Sequence, residues 1–445
     1  MNAMTDVTVI KTAAETGLAQ AFVEARSRLP GGGAVDAQRA AAFDLFAKAG
    51  LPHRRVEEWK YTDLRALMRE AKPLAAAPDA AAKARGKTAG AILGDVESRR
   101  LVFVDGAFVP ELSDMAALEP GLTIKSLAAA LAEDDPALAA HLGKLAPASD
   151  VAVALNTALM GDGAVIAVGA GATIERPLHL IFVASEKPAA TFVRSLAVVE
   201  AGARAMLIET HEGAPGSDYQ VNAALELFVG DNAHVDHVKI IGEGTHALHV
   251  STLAAAIGAK ARFNTFTFTT GGAVVRNQLF LNFDGEDTVA GIRGATLAKG
   301  KEHADTTLVA NHIARGCQSR EVFKTVLDGE AHGVFQGRII VKPGAQKTDA
   351  KMMTQALLLS ERAEADNKPE LEIFADDVQC GHGATAGALD EELKFYLMAR
   401  GIPAAQAEAL LIQAFLGEAV EGIEHAGLRE ALMEAVAVWL KARGS

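Results

Sequence analysis

The chain has 445 residues, half of them hydrophobic, with 43 Lys+Arg against 56 Asp+Glu for a net charge of −13. That is enough apolar chain for two or three domains and excludes a disordered protein. The acidic balance, with no long basic run, argues against nucleic acid or an anionic membrane as partner, and no 18-residue apolar span is present to cross a bilayer.

The start, MNAMTDVTVIKTAAETG, has no basic segment followed by an apolar one, so no signal peptide is expected. Cys317 and Cys380 are the only cysteines, which excludes a disulfide framework and sets a reducing cytoplasm as the expected compartment. Residues 1–95 read as a helical domain, rich in Ala, Leu, Arg, Glu and Lys and broken at Pro30-Gly31-Gly32-Gly33, Pro52, Pro73 and Pro78. Within it, EEWKYTDL (Glu57–Leu64) concentrates Trp59 and Tyr61. Such a cluster anchors either the domain's own packing or an interface, and internal packing is the reading preferred. The stretch Ala75–Ala91 is a linker or a weak, exposed helix. Its ARGKT is no phosphate loop, because position 81, where Walker A requires Gly, is Ala. No nucleotide site is expected in this chain.

Residues 96–150 read as a mixed connecting region, with a hairpin at LVFVDGAFVP turning on Asp105-Gly106 and a helical run from Ser126 to Leu145. From 151 to 384 the pattern changes to short alternating segments punctuated by Gly, Asp and Asn. Four of them share a template: VGAGATI (Val168), VEAGARA (Val199), VGDNAHV (Val229) and IGAKARF (Ile257), starting 31, 30 and 28 residues apart. Weaker echoes follow at FDGEDTV and LDGEAHG. The fourth position, Gly171, Gly202, Asn232 or Lys260, suits a turn residue with positive φ, Lys260 being the strained one. The Ala that follows is small enough to pack beneath the next turn. A fixed period of this length marks a stacked architecture, and no amphipathic helix separates the strands. The expected fold class is therefore mainly β: a β-solenoid core of coils with two or three short strands each, flanked by helical domains, with a plain sandwich as the alternative.

Residues 385–445 read as a C-terminal helical domain. Asp390 is placed to N-cap EELKFYLMAR and Gly401 to close it. Pro403 opens the next helix, with Ala407, Leu410, Leu411, Ala414 and Phe415 on one face. The two helical parts are expected to cap the solenoid's ends or to dock partners.

Among the candidate chemical groups, Cys380 and His382 stand out. Two-residue spacing puts both on one side of a strand, and thiolate with imidazole suits Zn, Cu or iron–sulfur chemistry. Two ligands make half a site, and a buried free cysteine is the plain alternative. His234, His237, His246 and His249 are read as exposed strand positions rather than a joint metal site. Lys347 and Asp349, in AQKTDAK, share a strand face as a solvated ion pair or as groups supporting the site. Cys317 is a small core or turn residue.

The runs AQKTDA, LLLS, KPELEI, ADDVQCGHGAT and FYLMARGI, within Val334–Ile402, together with EEWKYTDL near the start, resemble the SufD family of the SUF iron–sulfur cluster assembly system. The resemblance implies a right-handed parallel β-helix between helical domains, and a non-catalytic scaffold subunit. As partners it implies a SufB-like paralogue and a SufC-like ATPase that docks on the C-terminal helical domain. A homodimer remains open when the paralogue is absent. It also implies that Cys380 and His382 contact a transient iron–sulfur cluster shared with the paralogue, His382 being the better supported ligand, with Lys347 and Asp349 behind them. The lack of a further cysteine cluster favours SufD over SufB. A carbohydrate-active enzyme on the same fold would need paired carboxylates on one face, whereas Asp376 and Asp377 are adjacent and point opposite ways in a strand. A purely structural partner would differ only at Cys380 and His382.

Overall fold

A computed structural model describes residues 11–443, so the reading of the first ten residues lies outside it. The strands, in chain order, are β1 (Arg99–Val104), β2 (Ala107–Phe108), β3 (Leu122–Ser126), β4 (Ala164–Val168), β5 (Leu178–Ala184), β6 (Ala190–Val199), β7 (Arg204–Gly213), β8 (Gln220–Val229), β9 (His234–Gly242), β10 (Leu248–Ile257), β11 (Arg262–Thr269), β12 (Val274–Phe283), β13 (Val289–Ala298), β14 (His303–His312), β15 (Gln318–Leu327), β16 (His332–Val341), β17 (Asp349–Leu358), β18 (Glu364–Ile373) and β19 (Gln379–Gly387). From β4 onward each strand pairs in parallel with the strand two further along. From β4 onward the even strands, joined at the end by β3, make one sheet, β18-β16-β14-β12-β10-β8-β6-β4-β3. The odd strands from β5 onward, joined at the end by β1 and β2, make the other, β19-β17-β15-β13-β11-β9-β7-β5-β1-β2. The result is a parallel β-solenoid of about eight turns, as the repeat predicts. Each coil carries two strands, within the two or three expected, and most are ten residues long rather than short.

The turn template explains the register. Gly171, Gly202, Asn232, Lys260, Asp287, Gly316 and Lys347 all have φ between 55° and 76°. Each donates its N–H to a carbonyl of the next coil's turn, as Gly202 N–H does to Asp231 O (2.8 Å) and Lys260 N–H to Glu286 O (2.7 Å). The following residues Ala203, Ala233, Ala261, Thr288, Cys317 and Thr348 are at most 1% exposed. Cys317 thus takes the small-residue place beneath the turn.

Inward-phase residues such as Leu207, Val235, Leu253, Phe263 and Leu281 fill one half of the lumen. The outer faces are also covered. Helices α1 (Ala13–Ala25), α2 (Ala34–Ala49), α3 (Leu64–Leu67), α4 (Ala80–Thr88), α5 (Leu127–Ala132), α6 (Pro136–His141) and α7 (Val151–Leu159) precede the coils, and α8 (Glu391–Met398), α9 (Ala404–Val420) and α10 (Ala426–Arg443) follow them. Leu18, Phe46 and Leu155 of α1, α2 and α7 pack over β10 with Trp59. Ile412, Leu416, Leu432 and Val436 of α9 and α10 lie over the odd sheet on residues of β7, β9, β11, β13, β15 and β17. Burial on both faces explains near-continuous apolar strands such as LHLIFVA, where every residue is buried.

The helices therefore clad the flanks and do not cap both ends. At the first end, β3 pairs antiparallel with β4 and β2 with β1, closing the stack. At the other end β18 and β19 are edge strands with no further coil. The hairpin at Asp105-Gly106 forms as expected, and the Asp390 carboxylate accepts from the N–H groups of Glu392 (2.9 Å) and Leu393 (3.0 Å). The buried face of α9 differs from the expected one. Ile412, Leu416, Ala419 and Val420 join Ala407 inside, while Leu410 is 40% exposed, because α9 is wedged between α10 and the sheet and buries a different stripe.

Candidate functional site

Cys380 and His382 lie on β19, the last strand. In parallel pairing they sit in register with Ala350 and Met352 of β17, which are 0% and 2% exposed and belong to the lumenal core. The pair therefore faces the inside of the coil, side by side as the spacing predicts. No coil follows, so Cys380 remains half-buried against the core and His382 is exposed. Gly381 and Gly387 have no atom within 4 Å of where a Cβ would stand, which leaves backbone open to approach. Exposed Ile373 (43%) and Phe374 (58%) close the same coil.

Two residues not singled out in the sequence lie below. Glu321 of β15 is in register with Met352, and hence in the column of His382. It is 0% exposed and neither carboxylate oxygen has a hydrogen-bond partner. Burial raises its pKa to about 7, with Ser319 lowering it only in part. Ser319 lies in the Cys380 column, two strands below it, and meets His312 Nε2 at 3.0 Å. The signal was present: S-x-E-x-F (Ser319, Glu321, Phe323) puts a charge at an inward phase. Burial raises the Cys380 thiol above its usual range, and the Asp349 and Glu321 carboxylates push it the same way. The free chain therefore carries this group protonated at neutral pH, and any metal binding there would have to displace the proton.

Lys347 and Asp349 do not share a strand face. Lys347 occupies the turn before β17 at φ 65° and pairs with Asp377 of the next turn. Asp349 begins β17 and binds Arg320 Nη2 at 2.6 Å. Asp376 and Asp377 lie in a bend between β18 and β19, not in a strand. Trp59 is buried, as expected, but its anchorage is to the solenoid: its indole N–H donates to Asp150 (3.1 Å) and its ring carries the Arg276 guanidinium at 4.1 Å. The same segment reaches the terminal coil through Glu57 and Lys368 (2.5 Å).

The histidines correct the reading of exposed positions. His237 and His249 are 1% and 0% exposed, because their strands' odd residues face the lumen. His237 bonds Glu209 (2.8 Å) and Thr265 (2.9 Å), and His249 bonds Glu243 (2.8 Å). His234, on the outer face, pairs with Asp236 at 3.4 Å. Both cysteines are free, and among the described residues no helix is long and apolar enough to cross a membrane.

The architecture is a two-strand-per-coil parallel solenoid with helical cladding and one uncovered end. Comparison with known proteins gives the family. Residues 181–415 match the model of the SufBD core domain of SUF-system FeS cluster assembly, and residues 17–180 match the SufBD protein N-terminal region. The chain is 34% identical over 417 residues to an iron–sulfur cluster assembly SufBD family protein of Synechocystis sp., covering 90% of each. It is 32% identical over 390 residues to the iron–sulfur cluster assembly protein SufD of Escherichia coli, covering 87% of this chain and 88% of that one. The SufD of Bacillus subtilis is 28% identical over 288 residues, 64% of this chain and 65% of the relative. The chain belongs to the SufBD family of iron–sulfur cluster assembly proteins.

Proposed function

We propose that this chain is a non-catalytic, cytoplasmic scaffold subunit that pairs through its terminal coil with a SufB-like paralogue. A SufC-like ATPase docks on the C-terminal helices and supplies the ATP-driven motion. Cys380 and His382 then contribute a thiolate and an imidazole to a nascent iron–sulfur cluster whose other ligands come from the paralogue, since two donors cannot hold a cluster alone. The observation that carries the reading is the position of this inward-facing pair on the last, uncovered strand. Pairing would bring unpaired strand edges of β18 and β19 against a partner, and a second copy of this chain is the substitute when the paralogue is absent.

Asp349 acts through the Cys380 thiol, whose proton it helps retain. Lys347 steadies the turn that precedes the site. Partner binding would change the local field and permit the proton to leave as metal arrives. The test is anaerobic reconstitution of the three-subunit complex with wild type, His382→Ala and Cys380→Ser. Cluster content read by absorption and iron and sulfide assay is expected to fall at least several-fold with His382→Ala. Unchanged content in both variants, with the complex intact, would leave a purely structural partner and remove the ligand role.

A further inference from the structure

A second donor set lies deeper in the lumen. His211 near the end of β7, Glu243 just after β9 and His249 in β10 are 0%, 6% and 0% exposed, and their ligand atoms all lie within 4.8 Å of one another. Glu243 is held from two sides: the Tyr219 hydroxyl donates to Oε2 (2.5 Å) and His249 Nδ1 meets Oε1 (2.8 Å). His249 Nε2 has no hydrogen-bond partner, and neither ring nitrogen of His211 has one. His211 Nε2 comes no closer than 3.7 Å to Glu209. Its ring is fixed by stacking on Phe182 at 4.7 Å and stands edge-on to His249 at 4.9 Å.

Packing alone gives no reason for this arrangement. A buried polar atom without a partner costs about 1–3 kcal/mol, and here three such nitrogens sit on two neighbouring rings. Lys239 is engaged by Glu209 at 3.6 Å, and among the described residues Glu243 forms no ion pair with a lysine or arginine. A small cavity of about 20 Å³, lined in part by Gly106, Phe182, Thr191 and Val221, reaches both His211 and Glu243.

We propose that His211, Glu243 and His249 bind one divalent transition-metal ion, Zn(II) or Fe(II), inside the solenoid. Two neutral imidazoles and a carboxylate are the donor set for these ions. The cation supplies a positive charge beside Glu243 and a partner for one nitrogen of each imidazole. Ligand bonds of about 2.0–2.2 Å require the three donors to close to roughly 3.4 Å of one another, a side-chain adjustment. Tyr219 is the positioning residue, as it orients the carboxylate. The site is separate from Cys380 and His382: five strand spacings along the odd sheet, from β9 to β19, amount to roughly 24 Å.

The test uses the full-length chain, free of tags and stripped by chelation, titrated with Co(II) and then displaced with Zn(II). One equivalent should bind with visible d–d bands, and the Cys380→Ser/His382→Ala double variant should bind equally well. His211→Phe and Glu243→Gln should each weaken binding by about 10–100-fold. No stoichiometric binding by wild type, or binding lost in the double variant and kept in the other two, overturns the proposal. Should a lumenal variant fail to fold, X-ray absorption of the Zn(II)-loaded wild type decides. A shell of nitrogen and oxygen sustains the site, and a sulfur shell refutes it.

Discussion

Glu321 is the residue whose energetics most separate this chain from an ordinary apolar core. A carboxyl raised from 4.5 to about 7 is protonated in the fold where the unfolded chain would be ionised. Its folded pKa is the higher one, so its stabilising contribution is full below about pH 4.5 and is lost as pH rises through about 7. Glu321→Gln keeps the shape and removes the charge. The variant should be more stable than wild type at pH 8 by about 1–3 kcal/mol, the difference vanishing near pH 4.5. Urea midpoints at the two pH values check this, and equal gains at both would show that ionisation is not the cause. The same residue shows what spacing leaves out. Alternation marks Ser319, Glu321 and Phe323 as one face, but only pairing with β17 places that face under Cys380 and His382.

At the scale of elements, the repeat was legible because each turn needs one residue tolerant of positive φ and one small residue behind it. Lys260 and Lys347 show that the fold imposes this conformation even on side chains that resist it, at about 1 kcal/mol or more each. The helices were legible as helices, capped at Asp390 and stopped at Gly401 (φ 86°). Their buried faces were not, because periodicity gives a stripe's width and the neighbour decides its phase. The histidines were misread for a related reason. His237 and His249 are polar residues on strands that look amphipathic, and only the closed coil reveals that their phase is the inner one. Exposure on α8 is the informative remainder: Leu393, Phe395 and Tyr396 are 52%, 72% and 53% exposed, more apolar surface than a short helix leaves without use. Phe395→Glu should leave the melting temperature of the chain within about 2 °C, since the ring buries little, and should abolish capture of the ATPase subunit in a pull-down. Retained capture would move the docking surface elsewhere.

For the molecule as a whole, the two ends of the stack differ. Strands β1 to β4 close one end with antiparallel pairs, while β18 and β19 leave a row of unpaired donors and acceptors. Hydrogen exchange followed by mass spectrometry should find 364–387 exchanging well ahead of the lumenal strands from β7 to β13 in the free chain. The same peptides should become protected when the paralogue is added. Rapid exchange that persists in the complex would place the interface on another surface.

The C-terminal helices touch six alternate strands of one sheet, and their ends are tied down by Arg262 to Glu424 (2.7 Å) and Arg443 to Asp328 (2.6 Å). A repeat array of this kind ordinarily grows or shrinks by duplicating units of about thirty residues. Here an added or deleted rung between β11 and β15 would carry one anchor point about 5 Å from its mate. The tail thus works as a ruler, fixing how many rungs stand between β11 and β15 and so that part of the distance from the lumenal histidines to the open rim.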